Sequence, residues 1–385
     1  MKIVYVYPKF TTLAGTERVL IDKMNYLANQ KGIEVLVVTH EQGNHPFVYP
    51  LSAKVTHVDL DVRFFTLYRH NVLVRIQKSK KYNKLLVEKF NKLMSESQPD
   101  IVITTTFHSY LVSMIGSCST PFKKLLESHI DKCYIHCNDS NNYIKWTKLL
   151  HSFYDMHVLE CNARHFDLLL ALNENDADDW AKYVRTKVIT NIAHLNTTGC
   201  YSKLDTNRVI FVGRYTRQKG IPDLFKIWEI VFERHPDWHI DLFGDGNMEE
   251  IPYSEEERLM KNIHVHQPDS HIFERYLESS VFVLTSVFEP FGLVMPEAMS
   301  CGLPVVAFDC PSGPAQIITD GFDGFLIKDR SINLFADKVC QLIESPDLRS
   351  SMGKAAIKSS QKYSADVIMP QWITFFNELL ALSQS

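Results

Sequence analysis

The feature that most constrains this chain is an order of elements that occurs twice. A short apolar run, residues 3–7, passes through a loop at 8–16 into an amphipathic stretch at 17–30 and then into a second apolar run at 35–39. In the amphipathic stretch Val19, Leu20, Met24, Leu27 and Ala28 fall near one face and Gly32 closes it, which predicts a helix. Strand, loop, helix and strand in that order make a βαβ unit of a parallel sheet. The order restarts past the middle, with a strand predicted at 209–212, a helix at 222–234 and a strand at His239–Phe243. Further strands are predicted at Ile101–Thr105, 124–127, 168–172, 187–190, 281–285 and Val305–Phe308, with a helix around 296–300. The fold class is therefore α/β, with two doubly wound, Rossmann-like domains joined near 191–207. Ligands of such sheets sit beyond the carboxyl ends of the strands. Two such domains facing each other place a cleft between them. The expected division is 1–195, 196–365 and a tail at 366–385, whose Trp372, Phe375, Phe376 and Leu379 belong to an amphipathic helix.

Length and composition agree with two cores. At 385 residues the chain exceeds the ~100–200 residues of one ordinary domain. With 45% hydrophobic and 22% charged residues it is neither disordered nor collagen-like. No window approaches the ~18 uninterrupted apolar residues of a membrane span. The first apolar run is cut at once by Pro8 and Lys9, too short for a signal-peptide core. The eight cysteines are scattered through a long chain, so the expectation is a cytoplasmic protein with reduced thiols. Residues 1–195 hold 24 Lys/Arg against 19 Asp/Glu, a balance of +5, and the remainder 17 against 26, a balance of −9. No basic stripe carries a DNA- or RNA-binding signature, so no nucleic-acid partner is expected.

Two segments carry chemistry. In the first, Glu289 and Glu297 stand eight positions apart around Pro-Phe-Gly292, on the loop after a predicted strand and in the helix that follows. Gly292 lets backbone approach a ligand, and the amides of Phe291, Gly292 and Leu293 lie near a helix start, where anions bind. Carboxylates do not bind phosphate; they suit the hydroxyls of a ribose and a sugar. In the second, Gly213-Arg214 and Lys219-Gly220 follow another predicted strand. A fork-shaped cation and a point cation together suit a diphosphate. Neither a Walker loop nor a Gly-x-Gly-x-x-Gly after the first strand is present.

On these motifs the chain resembles glycosyltransferase family 4, the retaining, nucleotide-sugar-dependent enzymes of the GT-B fold. Gly244-Asp-Gly246, Cys310-Pro-Ser-Gly-Pro314 and the loop Gly15-Thr-Glu17 support the resemblance, which covers nearly the whole chain and is strongest over 209–327. It implies that Glu297 binds the ribose and Glu289 the transferred sugar. The Phe291–Leu293 backbone would hold sugar and phosphate, and Arg214 and Lys219 would neutralise the departing diphosphate without a metal or other cofactor. Gly15 would let the first loop close over the phosphates. His129 matches a histidine near the reacting sugar, though His108 stands on a neighbouring strand end. A UDP-sugar is the expected donor, with nucleobase contacts from the loop around His266 to Pro268. A saccharide or lipid-linked saccharide is the expected acceptor, and the tail helix would pack back on the first domain. Gln316 stands where an acidic residue is more usual, and Ala14-Gly15 where two glycines are.

Other readings compete for the same residues. A nucleotide-sugar epimerase shares the two-domain fold, but the Glu289-x7-Glu297 element argues against it. A non-catalytic sugar-nucleotide-binding protein is the second rival, and the retained Arg214, Lys219, Glu289 and Glu297 argue against that. Cys133 and Cys137 with His129 and His136 are too loosely spaced for zinc. Between Arg63 and Lys84 lie seven basic residues and no acid, interleaved with apolar ones. Such a stretch seats a segment peripherally on an anionic membrane surface, or simply serves the core.

Overall fold

The computed structural model describes residues 1–69, 71–135, 146–247, 249 and 251–381. His136 and Cys137 lie outside the described residues. The chain divides into two compact units, one made of residues up to Ile192 together with Ile368 onward, the other of Ala193–Val367.

The first unit alternates β1 (Lys2–Val6), α1 (Gly15–Ala28), β2 (Glu34–Thr39), β3 (Thr56–Asp59), α2 (Val72–Ser97), β4 (Ile101–Thr105), α3 (Ser109–Gly116), β5 (Lys123–Glu127), α4 (Trp146–Ala163), β6 (Leu168–Ala171), α5 (Glu174–Trp180) and β7 (Thr186–Val188). All seven strands are parallel, in the order β3-β2-β1-β4-β5-β6-β7. β1, β2 and β4 are almost continuously apolar because both faces of a parallel sheet are covered. α2 begins where the Asn71 side chain accepts from the Val74 amide and ends at Gln98 in the left-handed region. A short 3₁₀ turn, Phe64–Arg69, precedes it. The basic stretch thus divides between roles. Leu67 is buried and Phe64 packs on the core, while Arg63, Phe65, Arg69, Arg75, Lys80, Lys81 and Lys84 are exposed.

The second unit runs β8 (Arg208–Val212), α6 (Ile221–Arg234), β9 (His239–Phe243), α7 (Glu255–Met260), β10 (Ile263–His266), α8 (Ile272–Leu277), β11 (Val281–Leu284), α9 (Val294–Ser300), β12 (Val305–Phe308), α10 (Gly313–Ile317), β13 (Gly324–Ile327), α11 (Ile332–Glu344), α12 (Pro346–Ser360) and α13 (Ala365–Ala381). Its parallel sheet has the order β10-β9-β8-β11-β12-β13. α13 counts with the first unit from Ile368 on, and there Ile368, Met369, Trp372, Phe375, Phe376 and Leu379 are buried. Lys187 caps this contact, with its ammonium 4.8 Å from the Phe375 ring centroid.

Each sheet reverses its winding once, between β1 and β4 in the first unit and between β8 and β11 in the second. Neighbouring connections leave such a point on opposite faces, which opens a crevice at the strands' carboxyl ends. Among the described residues no helix is long and apolar enough to cross a membrane.

Candidate active site

The two chemical motifs of the second unit are the loops that leave β8 and β11, so both meet at its switch point. Lys219 Nζ lies 2.5 Å from Glu289 Oε2, and the Ser286 hydroxyl donates to the same oxygen at 3.0 Å. The two charged side chains are 12% and 9% exposed, so the pair is largely desolvated. Arg214 stands at the surface, where its guanidinium donates to Gln218 Oε1 at 3.2 Å. Gln218 in turn donates to the Phe288 carbonyl at 3.4 Å, which ties the cationic loop to the Glu289 loop.

Two glycines make the approach possible. Gly220 has φ +68°, and a Cβ there would fall 1.9 Å from the Thr285 carbonyl oxygen. Gly292 has φ +86°, and its Cβ would meet Met295 Cε at 2.5 Å and Glu289 Cγ at 2.9 Å. Both therefore combine a left-handed backbone with a surface that a side chain would block. The supporting motifs are backbone clips for the same loops. The Gly313 amide donates to the Glu289 carbonyl at 2.6 Å, and the Tyr215 amide to the Asp245 carbonyl at 2.6 Å.

Phe291 is buried with its ring edge-on to Tyr363 at 5.2 Å, and Leu293 immediately precedes α9. Glu297 is the fourth residue of α9 and half-buried; its carboxylate contributes to holding the buried Tyr276 and Cys301 protons, although burial is the larger cause. Burial likewise pushes the Cys310 thiol up to about 12, with Glu289 adding to the effect. Gln316 presents its backbone carbonyl to the Tyr363 hydroxyl at 2.7 Å. A separate hollow of about 810 Å³ is lined by Phe243, His266, Gln267 and Pro268 from the ends of β9 and β10 and by Arg208 and Ser279 from the starts of β8 and β11. Phe243 and His266 stack there at 4.4 Å.

Residues 201–359 match the family described as "Glycosyl transferases group 1". A relative from Haemophilus influenzae, an "Uncharacterized glycosyltransferase", is 27% identical over 380 residues, covering 96% of this chain and 98% of its own length. The "Poly(ribitol-phosphate) alpha-N-acetylglucosaminyltransferase" of Staphylococcus aureus is 26% identical over 317 residues, or 80% of this chain and 61% of that protein. Among solved structures, a mutant of S. aureus TarM in complex with Fondaparinux, alpha-GlcNAc-glycerol and UDP superposes with a TM-score of 0.77 at 16% identity, covering 98% of this chain and 99% of that one. The chain is a GT-B glycosyltransferase.

In the first unit of the glycosyltransferase, Gly15 opens α1 and is exposed, so it stands at the helix start rather than inside the loop before it. His129 follows β5 and is buried; its Nε2 lies 2.9 Å from Glu127 Oε2. His108 belongs to a different cluster, with its ring 5.5 Å from Tyr7 and 5.8 Å from Tyr110. Burial, and then the neighbouring His40, lower the His108 imidazole to about 4, which keeps it neutral.

Two groups in the glycosyltransferase escape a reading of the sequence. Arg330 donates to Asp223 at 2.8 Å and to the carbonyls of Ser286 and Thr285 at 2.9 and 2.8 Å. It thereby pins the end of β11, against which Gly220 is pressed, to the start of α6. Lys23 reaches Glu127 Oε1 at 2.5 Å from α1. Neither has a sequence signal beyond its charge, because the carboxylate partner of each lies more than a hundred positions away and the carbonyl partners of Arg330 more than forty. Among the described residues no cluster of three or more His, Cys, Asp or Glu is placed to hold a metal.

Proposed function

We propose that this glycosyltransferase is a retaining, metal-independent enzyme of the family 4 type. It moves a hexosyl or N-acetylhexosaminyl unit from a UDP-sugar to a hydroxyl of a saccharide or lipid-linked saccharide in surface polysaccharide or glycolipid assembly. The observation that carries this reading is the Lys219–Glu289 pair at the β8/β11 switch point. A cation and a carboxylate meet there beside Gly292, as a diphosphate and a sugar hydroxyl require. The second unit takes the donor and the first the acceptor. The hollow beside His266 suits the base, and the UDP bound in the TarM complex supports uridine. The polymer acceptor and the alpha linkage in the name of the S. aureus relative support a polymeric acceptor and retention.

In the transfer, the bond from the anomeric carbon to the phosphate oxygen breaks and a bond to the acceptor oxygen forms on the same face. The acceptor proton passes to the leaving phosphate. Lys219 and Arg214 stabilise the charge that develops there, and losing one such donor costs roughly 10²–10³ in rate. The deciding experiment is NMR of the anomeric proton in the product of an α-linked UDP-sugar. An α product supports retention and a β product overturns it. Turnover unchanged by EDTA supports metal independence, and loss of turnover counts against it. The donor is tested by thermal shift, where a UDP-sugar at 100 times its Kd adds ~2.7 kcal/mol and GDP- and ADP-sugars add less. The exposed basic residues around α2 make a peripheral seat on an anionic bilayer part of the proposal. Co-sedimentation with anionic vesicles at low salt supports it, and no binding there refutes it.

A further inference from the structure

The surroundings of His129 contain more than a strand-end histidine needs. Glu127 is shared between two partners: Oε2 faces His129 Nε2 at 2.9 Å, and Oε1 accepts from Lys23 Nζ at 2.5 Å. The three side chains are 3% (His129), 3% (Glu127) and 1% (Lys23) exposed. Lys23 is held from its far side by α13, with its ammonium 3.3 Å from the Trp372 ring centroid. His129 Nδ1 is buried and has no hydrogen-bond partner among the described residues.

We propose that Lys23 and Glu127 are positioning residues that set the charge and tautomer of His129, leaving Nδ1 as the acceptor for a hydroxyl of the transferred sugar. The proposal rests on the reading that His129 faces the sugar. A buried carboxylate alone would draw a proton onto the imidazole. With the Lys23 ammonium present the cluster is already neutral, and a further proton would leave an unpaired buried charge. The ring therefore stays neutral, Nε2–H donates to Glu127, and the lone pair of Nδ1 is left for a donor. The other titratable groups around it fit this count. Tyr5 beside Glu127 keeps its proton through burial. Glu17, which acts on His129, accepts from the Tyr7 hydroxyl at 3.2 Å, and burial pushes its carboxyl above the usual range. Burial lowers Lys23 to about 8 against the pull of Glu127, so the ammonium is retained at pH 7.

The test is ¹⁵N NMR of histidine rings in the full chain, with His129 assigned by H129Q. The expected wild-type signal at pH 7 is a neutral ring protonated at Nε2. In Lys23→Met the uncompensated carboxylate protonates the ring, and its titration midpoint rises by at least one unit, about tenfold in proton affinity. Trp372→Leu, which keeps the lysine, moves the midpoint the same way by less and serves where Lys23→Met does not fold. An imidazolium or an Nδ1–H tautomer in the wild type overturns the proposal, as does an unmoved midpoint in both variants. UDP-glucose or UDP-N-acetylglucosamine that binds by thermal shift should move the Nδ1 resonance, and binding without such a shift overturns the hydroxyl role. No binding of any nucleotide sugar overturns the donor reading instead, while the ring's protonation in the variants still decides the charge setting.

Discussion

Removing Lys219 separates what the Lys219–Glu289 pair does for stability from what it does for chemistry. Lys219→Met leaves a carboxylate 9% exposed, with the Ser286 hydroxyl as its remaining donor among the bonds described above. Breaking a buried ion pair from one side costs ~3–5 kcal/mol. The surviving Ser286 bond places this case at the low end, about 3 kcal/mol. For a unit of this size, Ala193–Val367, each kcal/mol shifts Tm by ~2–4 °C, so melting of the second unit should fall by about 6–12 °C. Glu289→Gln should cost less, because the lysine can swing its ammonium to water. The double variant Lys219→Met with Glu289→Leu removes both charges and should recover to within about 1 kcal/mol of wild type. Turnover should not recover: all three variants lose the donor contacts and fall by roughly 10²–10³ or more. Calorimetry and urea titration read the stability, and release of UDP reads the turnover. A Lys219→Met protein as stable as wild type, or a double variant less stable than the single, would refute the desolvated pair. A double variant with full turnover would remove the pair from the mechanism.

Gly220→Ala should destabilise by more than ~3 kcal/mol, since its Cβ meets a backbone oxygen; Gly292→Ala should cost less, because Met295 Cε can move, yet still depress turnover. Arg330→Met strips donors from the Thr285 and Ser286 carbonyls and should cost at least ~2 kcal/mol, read by urea unfolding. Stability should also depend on pH through Lys23. Its folded value is depressed, so above about pH 8 the unfolded chain holds the proton that the fold has lost. Stability therefore rises with pH toward 10, by at most ~1.4 kcal/mol per unit, and Lys23→Met should flatten that rise. Buried Tyr7 and Tyr110, whose protons the fold retains, oppose the trend beyond it.

The parts of the fold legible in the sequence are those that obey one rule locally. β1, β2, β4, β8, β9, β11 and β12 are largely apolar runs, and a run of that kind reads as a covered parallel strand. β3 reads Thr-His-Val-Asp and β10 Ile-His-Val-His. As outermost strands they carry polar residues that hide the pattern, so neither is legible as a strand. β13 is hidden for another reason: it opens on Gly324 directly after Asp323, a pair that reads as a turn. At the site, Glu289, Lys219 and Gly292 are legible because each lies in a dense local motif. Arg330 and Lys23 are not, because their meaning lies in carbonyls and a carboxylate supplied by distant segments. The sequence pattern starts α1 two residues late, because Gly15 is a poor helix former yet takes the first position, where little propensity is required.

The first unit is finished by residues made long after the rest of it. Its sheet is complete by Ile192, yet Lys23 waits for Trp372, and the surface over Lys187 waits for Phe375. During synthesis that half emerges with a charged lysine lacking its ring partner and an apolar face open, while Ala193–Val367 is still to come. A chain terminated between Ile192 and Ile368 is thus left with an open core rather than a smaller folded one. The apolar face that α13 covers is then open to the chaperones and proteases that bind exposed apolar surface.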